Sequence, residues 1–362
     1  MINFAVGPVP SSDAVRAIGG RDVPYFRTAE FSKIMLGIEG MLIELASAPA
    51  GSRAILSTSS GTGAMEAVVM GMLDPRQDKA LVVDGGSFGH RFRELLTLHG
   101  IPHDAIELVH GETLRSDDLR GYEKSGYTAF LVNLGETSQG VLYDSDLIAD
   151  YCDREDLFLI VDGISSFLAD PFDMEAMGAD VLITDAQKAL ACPPGIAPIV
   201  LSPRAVDRVH KNVQPCAYFD LNSLLENQLR GQTPFTPAVG IILQMYERLC
   251  QLIKSGGADA EVALRASVAV DFRQRVVESN LPLEMRLTSP SNAVTFLETK
   301  GFSARRLVDD MKKTYGIWLC PNGGEEAETS FRVGHIGEHP LSDNALLVAA
   351  LLDAQRRGIM CP

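Results

Sequence analysis

Between about residue 50 and residue 200 the chain repeats one pattern. A short run of apolar residues is followed by a polar or glycine-rich turn and then by a stretch of helical periodicity. Leu157-Phe158-Leu159-Ile160-Val161 leads into Asp162, and Val181-Leu182-Ile183-Thr184 leads into Asp185. Ala54 to Thr58, Ala80 to Asp84 and Ala129 to Leu134 have the same character, and Gly61 to Met72 and Arg91 to Leu98 read as helices between them. A run that is apolar at every position, not every second one, fits a strand covered on both faces. Such strands separated by helices make a mostly parallel sheet flanked by helices, an α/β fold. Open sheets of this type bind ligands outside the carboxyl ends of their strands, so polar residues just past each run are the first candidates for chemistry.

The chain has 362 residues, long enough for two domains or one large domain with a smaller lobe. Pro237 to Lys254 reads as a long helix, with Pro237 suited to its start. After it, Ala293 to Leu297 and Phe331 to Val333 read as strands and Ala304 to Thr314 as a helix, an α+β tail. The expected division is residues 1–15 as an N-terminal segment against the small domain, 16–255 as the large domain and 256–362 as the small one.

The formal charge of −15 gives a field that repels nucleic acid and anionic membrane, so neither is an expected partner. Six scattered cysteines without a CxxC pair suit neither a disulfide framework nor a zinc site. The seven histidines include no HExxH motif, and no catalytic metal is expected. No signal-peptide pattern opens the chain and no apolar stretch reaches the roughly 20 residues of a membrane span, so the expectation is a soluble cytoplasmic protein.

Asp162 and Lys188 form the strongest chemical pair. Each follows a buried-type strand, and the two strands are consecutive in the chain. A pyridine cofactor needs such a pair, a carboxylate to keep the ring nitrogen protonated and an amine to bond the aldehyde carbon at the other end of the ring. Taken singly, an edge Asp is usually a cap and a lone Lys is usually solvated. Ser60, Gly61, Thr62 and Gly63 follow a strand and open a helix, where free N–H groups and the helix dipole favour phosphate. Glu66 stands where a dinucleotide fingerprint needs its third glycine, so that reading is poor. Phe88, between glycines just past another strand, can present an aromatic face to a flat ring, or serve simply as core. Arg332, flanked by Phe331 and Val333, can grip a carboxylate with two parallel N–H bonds or sit in a surface ion pair.

The segment VDGISSFLADPFDMEAMGADVLITDAQKALACPPGIAPIVLS resembles the cofactor segment of class V aminotransferases, the fold-type I group that includes alanine–glyoxylate and serine–pyruvate aminotransferases. The resemblance runs from Gly7-Pro8 to the FRVGHIG stretch. It implies pyridoxal 5'-phosphate as cofactor, a Schiff base at Lys188, a ring-nitrogen contact at Asp162 and Gln187 beside the phosphate. It likewise implies phosphate at the SGTGAME turn, an aromatic stacked on the ring at Phe88 and the substrate carboxylate at Arg332. Asn133 to Gly140 is similar to the family's H-x-E-T-S-T-G pattern, which places Thr137 and Ser138 beneath the ring, with Asn133 where many relatives carry His. Thr233 and Thr236 are on sequence alone a proline-rich loop. The resemblance sends them to the neighbouring subunit's phosphate and so implies a homodimer.

Three functions compete at this stage. The first is a transaminase moving an amino group from a small amino acid of alanine or serine type to a 2-oxo acid of glyoxylate or pyruvate type by a ping-pong mechanism, with 2-aminoethylphosphonate–pyruvate transamination as a variant. The second is a lyase or cysteine desulfurase. Against it, Gln187 precedes Lys188 where desulfurases usually carry His, and Cys320 lies between Leu319 and Pro321 at what reads as a fixed strand end. The third is a non-catalytic binding protein, disfavoured by the joint presence of Lys188, Asp162 and Arg332.

Overall fold

A computed structural model describes residues 1–361, so Pro362, the last residue of the expected C-terminal unit, lies outside the described residues. Seven strands form the central sheet in the order Arg53–Ser57, Ala197–Leu201, Val181–Ile183, Phe158–Asp162, Ala129–Asn133, Ala80–Asp84 and His103–Glu107. Ala197–Leu201 is antiparallel to both of its neighbours, and the other six strands point one way. The exception has a local cause. The chain returns from Ile183 to Ala197 through the turn that carries Lys188, with no crossover helix to bring it back to the starting edge.

Burial explains why the strands lack alternation. In Phe158–Asp162 every residue is buried. Leu159 and Val161 join the core on one face of the sheet, and Phe158 and Ile160 join the core on the other. Each such side chain contributes roughly 1.5–3 kcal/mol of burial, so a polar residue within these runs would be costly. Asp162 follows where the strand leaves the layer, and the carboxyl ends of five parallel strands, at Ser57, Asp84, Asn133, Asp162 and Ile183, share one edge.

A second, antiparallel sheet of four strands follows in the order Leu283–Met285, Val294–Thr299, Ser330–Gly334 and Cys320–Pro321. Its apolar cluster draws on Phe272, Leu297, Leu307, Phe331 and Leu351, together with Phe4 from the chain's start. Ile2–Asn3 pairs in parallel with Ile317–Trp318. The helix expected over Ala304 to Thr314 is α only over Ala304–Asp310. It widens into a π turn at Met311–Tyr315, and Gly316, at φ 65°, ends it. The long helix begins at Val239, two residues after Pro237.

Candidate active site

Lys188 sits on the turn after Val181–Ile183, beneath the N-terminal segment. Val9 N donates to Gln187 O at 3.2 Å, and Lys188 Nζ donates to Val6 O at 2.8 Å. Gly7 makes this possible. Its φ is +139°, and a Cβ there would stand 2.8 Å from Nζ. Burial pushes the pKa of Lys188 down, opposed by Asp185, Cys320 and Asp162, while Arg332 works with burial. An amine so placed gives up its proton more readily, as a nucleophile must.

Asp162 is buried at the end of the neighbouring strand, and its Oδ1 accepts from Ile164 N at 2.8 Å. One oxygen therefore caps the local turn, as an edge Asp commonly does. Burial pushes the carboxyl up to about 7. The bond from Ile164 and the charge of Lys188 oppose this, and Glu136 and Asp185 add to it. A carboxylate this poorly compensated is a strong acceptor for a cationic N–H donor.

Gly61 opens the helix Gly61–Met72 with Ser60 as its cap residue, and the Ser60 side chain makes no cap bond. A Cβ at Gly61 would collide with Ile164 Cδ1 and stand 2.8 Å from Asp185 Oδ2. The same Asp185 oxygen accepts from Gly61 N at 2.6 Å and from Gln187 Nε2 at 2.5 Å. Burial pushes the Asp185 carboxyl up to about 6, against the bonds from Gly61 and Gln187. Asp185 Oδ1 and Gln187 Oε1 are buried without a hydrogen-bond partner among the described residues. Arg91 Nη1 donates to Thr62 Oγ1 at 3.2 Å, and its guanidinium lies 5.1 Å from the centre of the Phe88 ring. Neither Asp185 nor Arg91 stood out in the sequence. Asp185 shares its place with many edge acids, and Arg91 shows as a neighbour of Thr62 only when the two helices pack together.

Glu136 ties the aromatic and hydroxyl residues to one another. It is completely buried, and its Oε2 accepts from Phe88 N at 3.2 Å, Gly89 N at 3.1 Å and Asn133 Nδ2 at 2.8 Å. Its Oε1 accepts from Ser138 N at 3.2 Å and Ser138 Oγ at 2.5 Å. A carboxylate with five donors, two of them from the start of the helix Ser87–Leu98, fixes Phe88 at the sheet edge. Thr137 Oγ1 donates to Ser165 Oγ at 2.6 Å. The hydroxyls of Thr137 and Ser138 thus hold these loops together.

Arg332 reaches this group from the second sheet. Its Nη1 donates to Thr137 O at 3.2 Å and its Nη2 to Pro321 O at 3.1 Å. Nε is buried without a partner, and no carboxylate among the described residues lies within ion-pair distance of the guanidinium. Cys320, paired with Arg332 across the strands, is fixed in the sheet.

Thr233 and Thr236 are placed differently. Thr233 is buried and its hydroxyl donates to Phe235 O at 2.6 Å, while Thr236 is exposed. Arg27 is occupied in holding this loop, donating to Thr233 O at 2.9 Å and Pro234 O at 3.2 Å. The loop still lies near the glycine turn of its own chain, because Phe235 stacks on Tyr218 at 4.5 Å and Tyr218 Oη donates to Thr58 O at 3.2 Å. His335 and His339, four residues apart, do not converge. His335 is buried against Thr295, with Nε2 and Oγ1 2.7 Å apart, and His339 stacks on Phe4 at 5.0 Å.

One edge thus brings together a poised amine, an under-compensated carboxylate, an aromatic ring, a helix start and an unpaired guanidinium. The free Arg332 Nε is a donor that a substrate carboxylate can satisfy, the helix start at Gly61 offers N–H groups to a phosphate, and the buried Asp162 is an acceptor for a pyridinium N–H, so these residues fit pyridoxal phosphate. Residues 25–233 match the family model described as Aminotransferase class-V. The chain belongs to the class V aminotransferases. It is a pyridoxal-phosphate-dependent transaminase with the fold-type I architecture. It is 30% identical over 360 residues to an uncharacterized aminotransferase of Helicobacter pylori, covering 97% of this chain and 93% of the relative. It is 29% identical over 297 residues to L-aspartate–glyoxylate aminotransferase of Paracoccus denitrificans, covering 79% and 74%. The aspartate aminotransferase of subgroup IV from Thermus thermophilus superposes with a TM-score of 0.90 at 25% identity, over 99% of each chain.

Proposed function

We propose that this aminotransferase moves the amino group of a small amino acid of alanine or serine type to a 2-oxo acid of glyoxylate or pyruvate type, by a ping-pong exchange at Lys188. The observation that carries this reading is Arg332, a guanidinium beside Thr137 that meets only backbone carbonyls and keeps Nε free. Its planar fork matches a carboxylate, the one group that every amino acid and every 2-oxo acid in such an exchange shares.

Bound pyridoxal phosphate supplies an electron-withdrawing ring that lets the substrate α-proton leave. The remaining roles belong to the chain. Lys188 would provide the amine that bonds the aldehyde carbon and the base that moves the substrate α-proton. Asp162 would keep the ring nitrogen protonated with the oxygen that Ile164 does not use. Phe88, positioned by Glu136, would shield the ring from water. Ser60, Gly61, Thr62 and Gln187 would receive the phosphate at the helix start. Thr137 and Ser138 would line the site beside the ring. Arg332 orients the substrate by its carboxylate.

The protein acts as a homodimer, with the exposed Thr236 serving the partner's phosphate site and Thr233, its hydroxyl engaged with Phe235 O, holding the loop that presents it. Support comes from Val23, Tyr25 and Leu229, which are 60%, 70% and 68% exposed and lie close in the chain to Arg27 or to the Thr233–Thr236 loop that Arg27 holds. The division into residues 1–15, 16–255 and 256–362 has the support of the separate apolar cluster that unites Phe4 with the second sheet.

A donor panel tests the substrate assignment. Alanine, serine, aspartate and 2-aminoethylphosphonate are each paired with glyoxylate and with pyruvate, and both products are quantified. Alanine or serine with glyoxylate should give the highest kcat/KM. Turnover confined to aspartate or to the phosphonate would overturn it.

A further inference from the structure

The helix start assigned to the phosphate is already engaged by an acid of the same chain. Gly61 N, the first free donor of the helix Gly61–Met72, points at Asp185 Oδ2 from 2.6 Å, and Gln187 Nε2 donates to that same oxygen from 2.5 Å. Asp185 is 2% exposed, and its other oxygen has no partner among the described residues. We propose that Asp185 competes with the cofactor phosphate for the helix start, so that loading the cofactor takes up one proton and its affinity falls as pH rises. The inference rests on the reading that the Ser60–Thr62 turn receives the phosphate.

The physical argument is one of donors and charge. In the cofactor-free protein the carboxylate satisfies a buried N–H group and the positive end of the helix, which a buried helix start otherwise leaves unmet. A phosphate needs the same N–H group and brings close to two negative charges at neutral pH. Two anions drawn to one N–H group repel each other at hydrogen-bond range. A proton on Asp185 resolves the conflict, because the acid then donates an O–H bond to a phosphate oxygen in place of repelling it. The proton comes from solvent, and one is bound per cofactor. The already raised pKa of this carboxyl lowers the cost of that proton.

The charged groups around Asp185 do not remove the conflict. On its own turn, Lys188 directs Nζ to Val6 O. On the neighbouring strand, Asp162 is a second acid. From the helix Ser87–Leu98, Arg91 reaches the turn only through the Thr62 hydroxyl. Against Gly61 itself lies the apolar Ile164 side chain. Lys188 also titrates, but it meets the aldehyde end of the cofactor, so pyridoxal, which lacks the phosphate, isolates its contribution.

Equilibrium binding to the full-length apoprotein tests the proposal. Pyridoxal phosphate and pyridoxal are titrated separately at pH 7, 8 and 9, following absorbance, against wild type, Asp185→Asn, Asp185→Ser as a second neutral variant, and Ser60→Asp. Both Asp185 variants should bind pyridoxal phosphate at least about tenfold more tightly at pH 8, with the affinity falling about tenfold less per pH unit than in wild type. Pyridoxal feels Asp185 only through its charge on Lys188, so the gain for pyridoxal should be at least about fivefold smaller than the gain for pyridoxal phosphate at each pH. Equal affinities and equal pH slopes in wild type and both neutral variants would overturn the proposal, and so would an equal gain for pyridoxal. Ser60→Asp separates that failure from failure of the phosphate reading. Asp is a favoured helix cap, so the variant keeps its fold while adding a negative charge at the turn. If it leaves the ratio of the two affinities unchanged, the phosphate sits elsewhere. If it lowers that ratio while the Asp185 variants do not raise it, only the competition by Asp185 is refuted.

Discussion

Asp162→Asn should make the cofactor-free protein more stable at alkaline pH while weakening the loaded enzyme. Burial raises the Asp162 carboxyl from 3.8 to about 7. An acid whose folded pKa lies above its unfolded value favours the fold while protonated and loses that advantage as pH climbs through the folded value. The shift of about 3 units corresponds to a penalty of about 4 kcal/mol above pH 7, at about 1.4 kcal/mol per unit. Between pH 5 and pH 8 the wild-type apoprotein should lose about 2–3 kcal/mol from this group. Asparagine keeps the bond from Ile164 N and has no proton to lose, so its stability relative to wild type should grow by that amount over the same interval. With an unfolding entropy of about 2.1 cal/mol/K per residue over 362 residues, the gap in Tm should widen by about 3 °C. The assay is thermal unfolding of both apoproteins at half-unit pH steps, then again with saturating pyridoxal phosphate. With cofactor the order should reverse at pH 8, because a protonated ring nitrogen compensates a carboxylate and does not compensate an amide. A gap in Tm that stays flat from pH 5 to 8 would refute the claim that the buried carboxylate is ionised at a cost. Equal stabilisation of both proteins by cofactor would refute the ring-nitrogen contact.

Lys188→Ala should bring turnover to background and remove the violet-edge absorbance of the loaded enzyme, since both depend on its amine; a variant turning over at near wild-type rate refutes the assignment. Arg332→Lys keeps the charge but loses the fork. It should raise KM for amino acid and oxo acid alike by about 10- to 100-fold, the equivalent of about 1.5–3 kcal/mol for a charge-assisted bond, with the cofactor spectrum unchanged; an unchanged KM would leave Arg332 a purely structural link to Thr137. Sedimentation at falling concentration should show subunits and cofactor released together, with added pyridoxal phosphate restoring the dimer; a monomer that keeps its spectrum and activity refutes the shared site.

What could be read from the sequence was local. The strand ending at Asp162 is apolar at every position because both of its faces are buried, so its extent was visible without a partner. The start of the helix Gly61–Met72 was visible because a serine and glycines just past a strand are the residues favoured at a helix start. What escaped were elements whose pattern depends on distant partners. The helix Gly257–Ser279 buries Glu261 and Arg265 among its apolar residues. Those two pair with each other at 3.2 Å, and Glu261 pairs with Arg248 at 2.9 Å, so the charges break a stripe that burial alone would have written. The antiparallel strand Ala197–Leu201 was missed for another reason. A strand's direction follows from how its connection travels, and Ala189 to Ile196 give no sign of a missing crossover.

The same distinction orders the candidate site. Lys188 and Asp162 were visible as a pair, because they follow consecutive strands, although either one alone has an ordinary structural reading. Their tuning was not visible, because it comes from groups far away in the chain. Val6 holds the amine from 182 positions away, and Gly61 holds the acid at 185 from 124 positions away. Such pairings need backbone N–H and C=O groups, which every residue carries and no side-chain pattern reveals. Asp185 shows the consequence most sharply. As a letter in the sequence it is one more polar residue at a sheet edge. Placed 2.6 Å from the first N–H of a helix that a phosphate also needs, it becomes a second claimant on that donor. A chain that retains an acid there must either bind its cofactor with a proton or move the acid aside. The first route loses affinity as pH rises through 9 and the second does not, so the slope of affinity against pH reports which one this protein takes.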